Sequence, residues 1–170
     1  MKPVILKKAI AVASLALLSG TILIGQQGRA VQGQTQARAS GVSMKITVTS
    51  VMVGDQETAL KFYTEVLGFL KKTDVPAGEA RWLTVVSPEQ PDGPELLLEP
   101  TMFPPARTFQ KALFDAGIPL TLFEVSDIAA TYEKLTRLGV VFRGKPAKAG
   151  PVTVVMFEDT CGNLIQLVQQ

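Results

Sequence analysis

A chain of 170 residues has room for one ordinary domain and a short appendage, and its formal net charge of +2 is unevenly distributed. The first forty residues carry only Lys2, Lys7, Lys8, Arg29 and Arg38 as charges, while every acidic residue lies from Asp55 onward, so the remainder holds 12 basic against 15 acidic residues and a charge of −3. That balance excludes the basic face of a nucleic-acid binder, and a chain without histidine can build neither a Ser-His-Asp arrangement nor a histidine metal site.

Met1 to Lys8 is a basic opening, and Ala9 to Gly25 is an uncharged apolar stretch. Small residues at 28–30 and 37–39 then suit a cleavage site. Residues 1–30 therefore read as a signal peptide, with a retained N-terminal membrane anchor as the alternative, the apolar run being at the short edge of a membrane-spanning helix. Either reading expects an exported domain, periplasmic, held at the cell envelope or secreted, because the leading lysines stay inside. A membrane would be met only through this segment. Residues 31–43, rich in Gln, Gly, Ala and Ser, read as a flexible linker. Cys161 is the only cysteine, so the fold must rest on its hydrophobic core and not on a disulfide.

The domain runs over 44–170. Lys45 to Val53 is rich in β-branched residues and predicts the first strand. Asp55 caps the following helix, whose Ala59, Phe62, Tyr63, Val66 and Leu67 form one apolar stripe, and Gly68 ends it. A second strand over Phe69 to Asp74, a turn at 75–78 and a third strand over Arg81 to Ser87 follow. A proline-rich loop at 88–94 leads to a fourth strand, Glu95 to Glu99, and Thr101 to Arg107 connects to a short helix from Thr108 to Ala116. The second half repeats the order. Strands are expected at Leu120 to Val125, Val140 to Arg143, Val152 to Phe157 and Leu164 to Val168, with a helix from Asp127 to Leu138 burying Ile128, Tyr132, Leu135 and Leu138.

The two halves share a motif. Val53 to Phe69 reads VGDQETALKFYTEVLGF and Val125 to Val140 reads VSDIAATYEKLTRLGV. Asp55 answers Asp127, and after a one-residue slip Ala59, Leu67 and Gly68 answer Ala130, Leu138 and Gly139. With Asp159-Thr160-Cys161-Gly162-Asn163 before the last strand, this pattern resembles the vicinal oxygen chelate superfamily of glyoxalase I, extradiol dioxygenases and bleomycin-resistance proteins. The resemblance implies an α+β fold of two βαβββ modules, at about 44–100 and 118–170, whose curved mixed sheets enclose a cavity. It also implies either a homodimer or a two-module chain that closes its own cavity.

In metal-using members of that superfamily, ligands come from the first, fourth, fifth and eighth strands. The matching positions here are Val48, Leu97 or Leu98 (Glu99 if the register slips), Leu120 and Gln166, which do not suit a divalent ion. The resemblance therefore implies a metal-independent cavity with no cofactor, a divalent metal held by other residues being the alternative. The expected ligand-binding residues are Val48, Trp82, Leu98, Leu120 and Gln166.

Each has a bland reading. Gln166 offers an amide to a ligand or to neighbouring backbone, and Trp82 floors a pocket or fills the core. Glu99 and Gln166 are weak catalytic candidates, Glu99 being as consistent with a solvated surface charge at a strand end. Met102 and Phe103 line a cavity mouth, meet a second subunit or staple the two modules. Cys161 reads as a turn residue because nothing beside it supplies an activating base. Three functions remain. The first is an exported protein binding a small organic molecule; the second is a lyase, isomerase or dioxygenase with non-standard catalytic residues; the third is a non-catalytic envelope module.

Overall fold

The structure, a computed structural model, describes residues 43–170; the expected leader and nearly all of the linker fall on residues 1–42, outside the described residues. In the first module, β1 (Val48–Val53) leads to α1 (Gln56–Lys61), β2 (Leu70–Ala77), β3 (Ala80–Val86) and β4 (Glu95–Pro100). The connector forms α2 (Pro104–Ala116), and the second module comprises β5 (Thr121–Glu124), α3 (Ile128–Arg137), β6 (Ala147–Ala149), β7 (Val152–Glu158) and β8 (Leu164–Gln169). The sheets have the equivalent orders β1-β4-β3-β2 and β5-β8-β7-β6, with β1 parallel to β4 and β5 parallel to β8. This is the expected α+β, glyoxalase-like pair of βαβββ modules, but the two sheets are not closed into one. No helix among the described residues is long and apolar enough to cross a membrane.

Alternation along each strand sends one set of side chains inward, onto the helices, and the other outward. Val51, Val53, Leu83, Val85, Leu96 and Leu98 face inward in the first module. Val155, Phe157, Ile165 and Leu167 do so in the second, and all ten belong to one core cluster with Ala59, Phe62, Tyr63 and Leu135 of the helical segments. Phe69 and Phe123, one from each module, meet with ring centroids 5.3 Å apart. Gln56 ties α1 to its sheet: its amide nitrogen donates to the Arg81 and Leu98 carbonyls, and its oxygen accepts from the Arg81 N–H.

The one-residue slip between the repeats has a physical counterpart. Asp55 caps the Thr58 N–H at 2.7 Å and Asp127 caps the Ala130 N–H at 2.9 Å, so both helices start alike. Both also end alike, on Gly68 and Gly139, each at φ 85°, where a Cβ would be strained. Between these points α1 opens into a π-helical turn over Phe62–Val66, whereas α3 shows none. A π turn accommodates one extra residue within a helix. The extra residue thus lies one turn later than the sequence comparison placed it.

Other differences have local causes. The turn expected at 75–78 is strand as far as Ala77; Pro76 is tolerated because β2 is an edge strand with a free side. The connector helix starts four residues early because Pro104 and Pro105 occupy its first positions, where a missing N–H costs nothing. Val140 to Arg143 forms only the isolated bridge Phe142–Phe157; Gly144 and Pro146 interrupt it, and the sixth strand is Ala147–Ala149. Leu138, expected inside, caps the end of α3 and is half exposed, while Val140 takes the buried place.

Candidate functional site

The outer sheet faces bring several of the expected residues to one surface. On the first module, alternation and register set Val48, Ser50 and Met52 of β1 beside Glu95, Leu97 and Glu99 of β4. Thr84, opposite Leu97, and Trp82 continue this face on β3, and Val75 lies opposite Trp82 on β2. Trp82 is 43% exposed and Leu70 and Val75 are about half exposed, whereas Thr84 and Leu97 at the centre of this face are buried. Trp82 is therefore neither core nor the floor of a closed pocket. On the second module, Leu122 of β5, Gln166 of β8 and Met156 of β7 lie in adjacent register, with Leu122 more than half exposed. The Gln166 amide makes no hydrogen bond to another described residue, which leaves its donor and acceptor free at a half-buried position.

Glu95 is the group that sequence reasoning passed over. Its Oε2 accepts from the buried Thr84 hydroxyl at 2.5 Å and from the Thr73 hydroxyl at 3.5 Å, and the Thr73 N–H in turn donates to Thr84 Oγ1 at 3.1 Å. These bonds hold a carboxylate in place beside the apolar face. The available signal was parity: Glu95 lies two residues from Leu97, hence on the same side. Two of the expected ligand-binding residues, Leu98 and Leu120, meet the core. Leu98 is fully buried in the core, on the opposite side of β4 from Glu95 and Leu97, and Leu120, just before β5, also packs against the core cluster. Glu99 is an exposed strand-end carboxylate, and Met102 and Phe103 are exposed beside the connector helix.

The Asp159–Asn163 turn forms a second polar constellation, which joins the modules. The buried Asp159 carboxylate accepts from the Tyr63 hydroxyl at 2.9 Å, the Asn163 side chain at 2.7 Å, and the Asn163 and Cys161 backbone N–H groups at 2.7 and 3.0 Å. Asn163 Nδ2 also donates to the Met52 carbonyl at 2.7 Å, across modules. Gln110 Nε2 donates to the Met52 and Cys161 carbonyls and to Asn163 Oδ1. Burial raises the Asp159 carboxyl above its ordinary range against the pull of these donors, and burial plus the Asp159 charge push the Tyr63 hydroxyl well above its own. The Cys161 thiol is pushed up to about 12, first by burial and then by Asp159, so it is not a nucleophile near neutral pH.

Cavities also open among the described residues. The first, about 300 Å³, lies between the modules, walled by Val66, Leu67 and Phe69 on one side and Phe123, Leu135 and Phe157 on the other. The second, about 360 Å³, is an open hollow beside Asp55 and Arg81, and the third, about 340 Å³, lies between Phe62 and Val140. None of Val48, Trp82, Leu98, Leu120 and Gln166 lines these three cavities.

The donor set also bears on the metal that the family resemblance implies. Val48, Leu98 and Leu120 supply no donor and Gln166 a single neutral amide, so the residues present do not fit a divalent ion at those positions. Among the described residues no three His, Cys, Asp or Glu side chains converge elsewhere.

The comparisons agree with this fold. The family model described as Glyoxalase/Bleomycin resistance protein/Dioxygenase superfamily matches residues 45–167. YurT, an uncharacterised protein of Bacillus subtilis (strain 168), is 56% identical over 127 residues, which are 75% of this chain and 100% of YurT. The crystal structure of UcmS2 is similar at 31% identity and a TM-score of 0.66, covering 75% of this chain and 98% of that one. TnmS3, an antibiotic binding protein from Streptomyces sp. CB03234, is similar at 30% identity and a TM-score of 0.60, covering 76% and 98%. With its paired modules and a family match across almost the whole described domain, the chain belongs to the glyoxalase/bleomycin resistance protein/dioxygenase superfamily.

Proposed function

We propose that this protein is an exported, metal-independent binding protein that holds a small, largely apolar organic molecule against its outer sheet faces. The observation that carries the reading is the outer face of the first module, where exposed Leu70, Val75 and Trp82 share one side of the sheet with the fixed Glu95 carboxylate. Exposed apolar residues that share one face mark a binding surface, and an anchored polar group orients what binds there. The likeness to TnmS3 supports a small-molecule ligand. The metal-free part rests on the donor set at Val48, Leu98, Leu120 and Gln166.

Each outer face is open by itself. A second copy that lays its Leu122–Gln166 face over the Trp82 face would complete an enclosed site, and this is the homodimer we favour. Export rests on the basic and apolar order of residues 1–30.

The sole tryptophan is the natural reporter. Titration with a panel of aromatic and dicarbonyl compounds is expected to change Trp82 emission saturably, and Trp82→Phe to abolish the signal and weaken the heat of binding. Flat titrations across the panel, in fluorescence and calorimetry alike, would overturn the reading. Stoichiometric Fe, Ni, Zn or Mn in the purified protein would overturn its metal-free part. Recovery of the protein in the cytoplasmic fraction would overturn export.

A further inference from the structure

The cavity between the modules lies on the inner side of both sheets, away from the face assigned to the ligand above. Its floor is the hydrophobic core itself: Leu135, Phe157 and Leu167 are all buried members of the core cluster. One wall is the end of the π turn, Val66 and Leu67, with Phe69; the other includes Phe123, whose ring meets that of Phe69. Protein interiors hold few voids larger than a water molecule. About 300 Å³ is roughly ten times a water's share of liquid volume, and at the lower end of the range of ligand pockets.

A second observation points the same way. The π turn is the one departure of the first helix from its repeat, and its last residue, Val66, lines this cavity. A π turn costs hydrogen-bond geometry and recurs at functional sites. Here the extra residue lies where the wall of the cavity is made, and the equivalent helix of the second module, which has no such turn, contributes the opposite wall through Thr131, Lys134 and Leu135.

The charge at the mouth selects the ligand class. Lys134 stands with Glu89 and Glu124, all exposed, and none forms an ion pair with a described residue. One positive against two negative groups gives no net attraction for an anion, and the apolar walls disfavour burying a charge of either sign. Ser87, Ser126 and Thr131 offer neutral hydrogen bonds near the opening. We propose that this inter-module cavity is a second binding site, which takes a neutral, largely apolar molecule of about two fused or linked rings. It does not depend on the outer-face reading.

The test uses N-phenyl-1-naphthylamine, a neutral apolar dye that brightens out of water, with amide-resolved NMR of the wild-type protein. The expected result is saturable binding that shifts the amides of Val66, Phe69, Phe123 and Thr131 together, whatever response is seen around Trp82. Thr131→Trp and Ser87→Trp, which fill the cavity from different elements, should each weaken the dye binding that shifts these amides by about tenfold or more. No saturable binding, shifts confined to the outer face, or full affinity at these amides in a folded filling variant would overturn the proposal. Where a filling variant fails to fold, the wild-type amide map decides alone.

Discussion

Asp159 illustrates how one residue can look like chemistry and act as structure. It has the burial and the raised pKa that mark many functional carboxylates, yet its donors are all internal and join the two modules. The pH dependence follows from the direction of the shift. Because the folded carboxyl holds its proton more readily than the unfolded chain does, its contribution to stability is full below the ordinary carboxylate value of about 3.9 and is lost as pH rises through the raised folded value. Urea unfolding of the wild type and Asp159→Asn across acid to neutral pH should therefore show the wild type losing ground to the variant as pH increases. A difference that stays flat, or grows in favour of the wild type, would rule this out. Glu95 is the converse case, a half-buried carboxylate held by two hydroxyls on the outer face of the first sheet.

At the scale of elements, the helices begin and end on local chemistry. Asp127 satisfies the Ala130 N–H, one of the donors that a helix start leaves unpaired. Asp127→Ala is expected to destabilise the protein by about 1 kcal/mol and Asp127→Ser to restore most of that, as read from urea midpoints. An Asp127→Ala variant as stable as the wild type would show that tertiary packing alone holds the start of α3. The strand edges show the opposite balance. Pro76 looked like a turn residue, but pairing of β2 with β3 decided for strand, and the unpaired edge accepted a residue without an N–H. Pro104 and Pro105 looked like a connector and became the first turn of a helix.

Across the whole molecule, one core cluster draws on both modules, and the Tyr63–Asp159 and Asn163–Met52 hydrogen bonds cross between them. The modules should unfold together. Phe157→Ala, deep in the second module, is expected to cost about 3–5 kcal/mol and to shift the transition seen by Trp82 in the first module as much as that seen by far-UV circular dichroism. Two separate transitions would mean that the shared core is not energetically shared. The same arrangement leaves Leu70, Val75, Trp82 and Leu122 of the outer sheet faces exposed.

The sequence by itself determined the repeat, the order of strands and helices, the two aspartate caps, the glycine stops and the family, because each depends on residues close together in the chain or on a pattern stated twice. It expected Val48, Trp82 and Gln166 to line an enclosed cavity, whereas alternation and register set them on the outer sheet faces. Tertiary structure alone decided that Leu98 turns into the core, that Glu95 is held by Thr73 and Thr84, and that Asp159 joins the modules. The reason is geometric. The side of a strand reverses with every residue, so a count uncertain by one cannot assign a face, and only the packing of both modules onto one core fixes which side is inside.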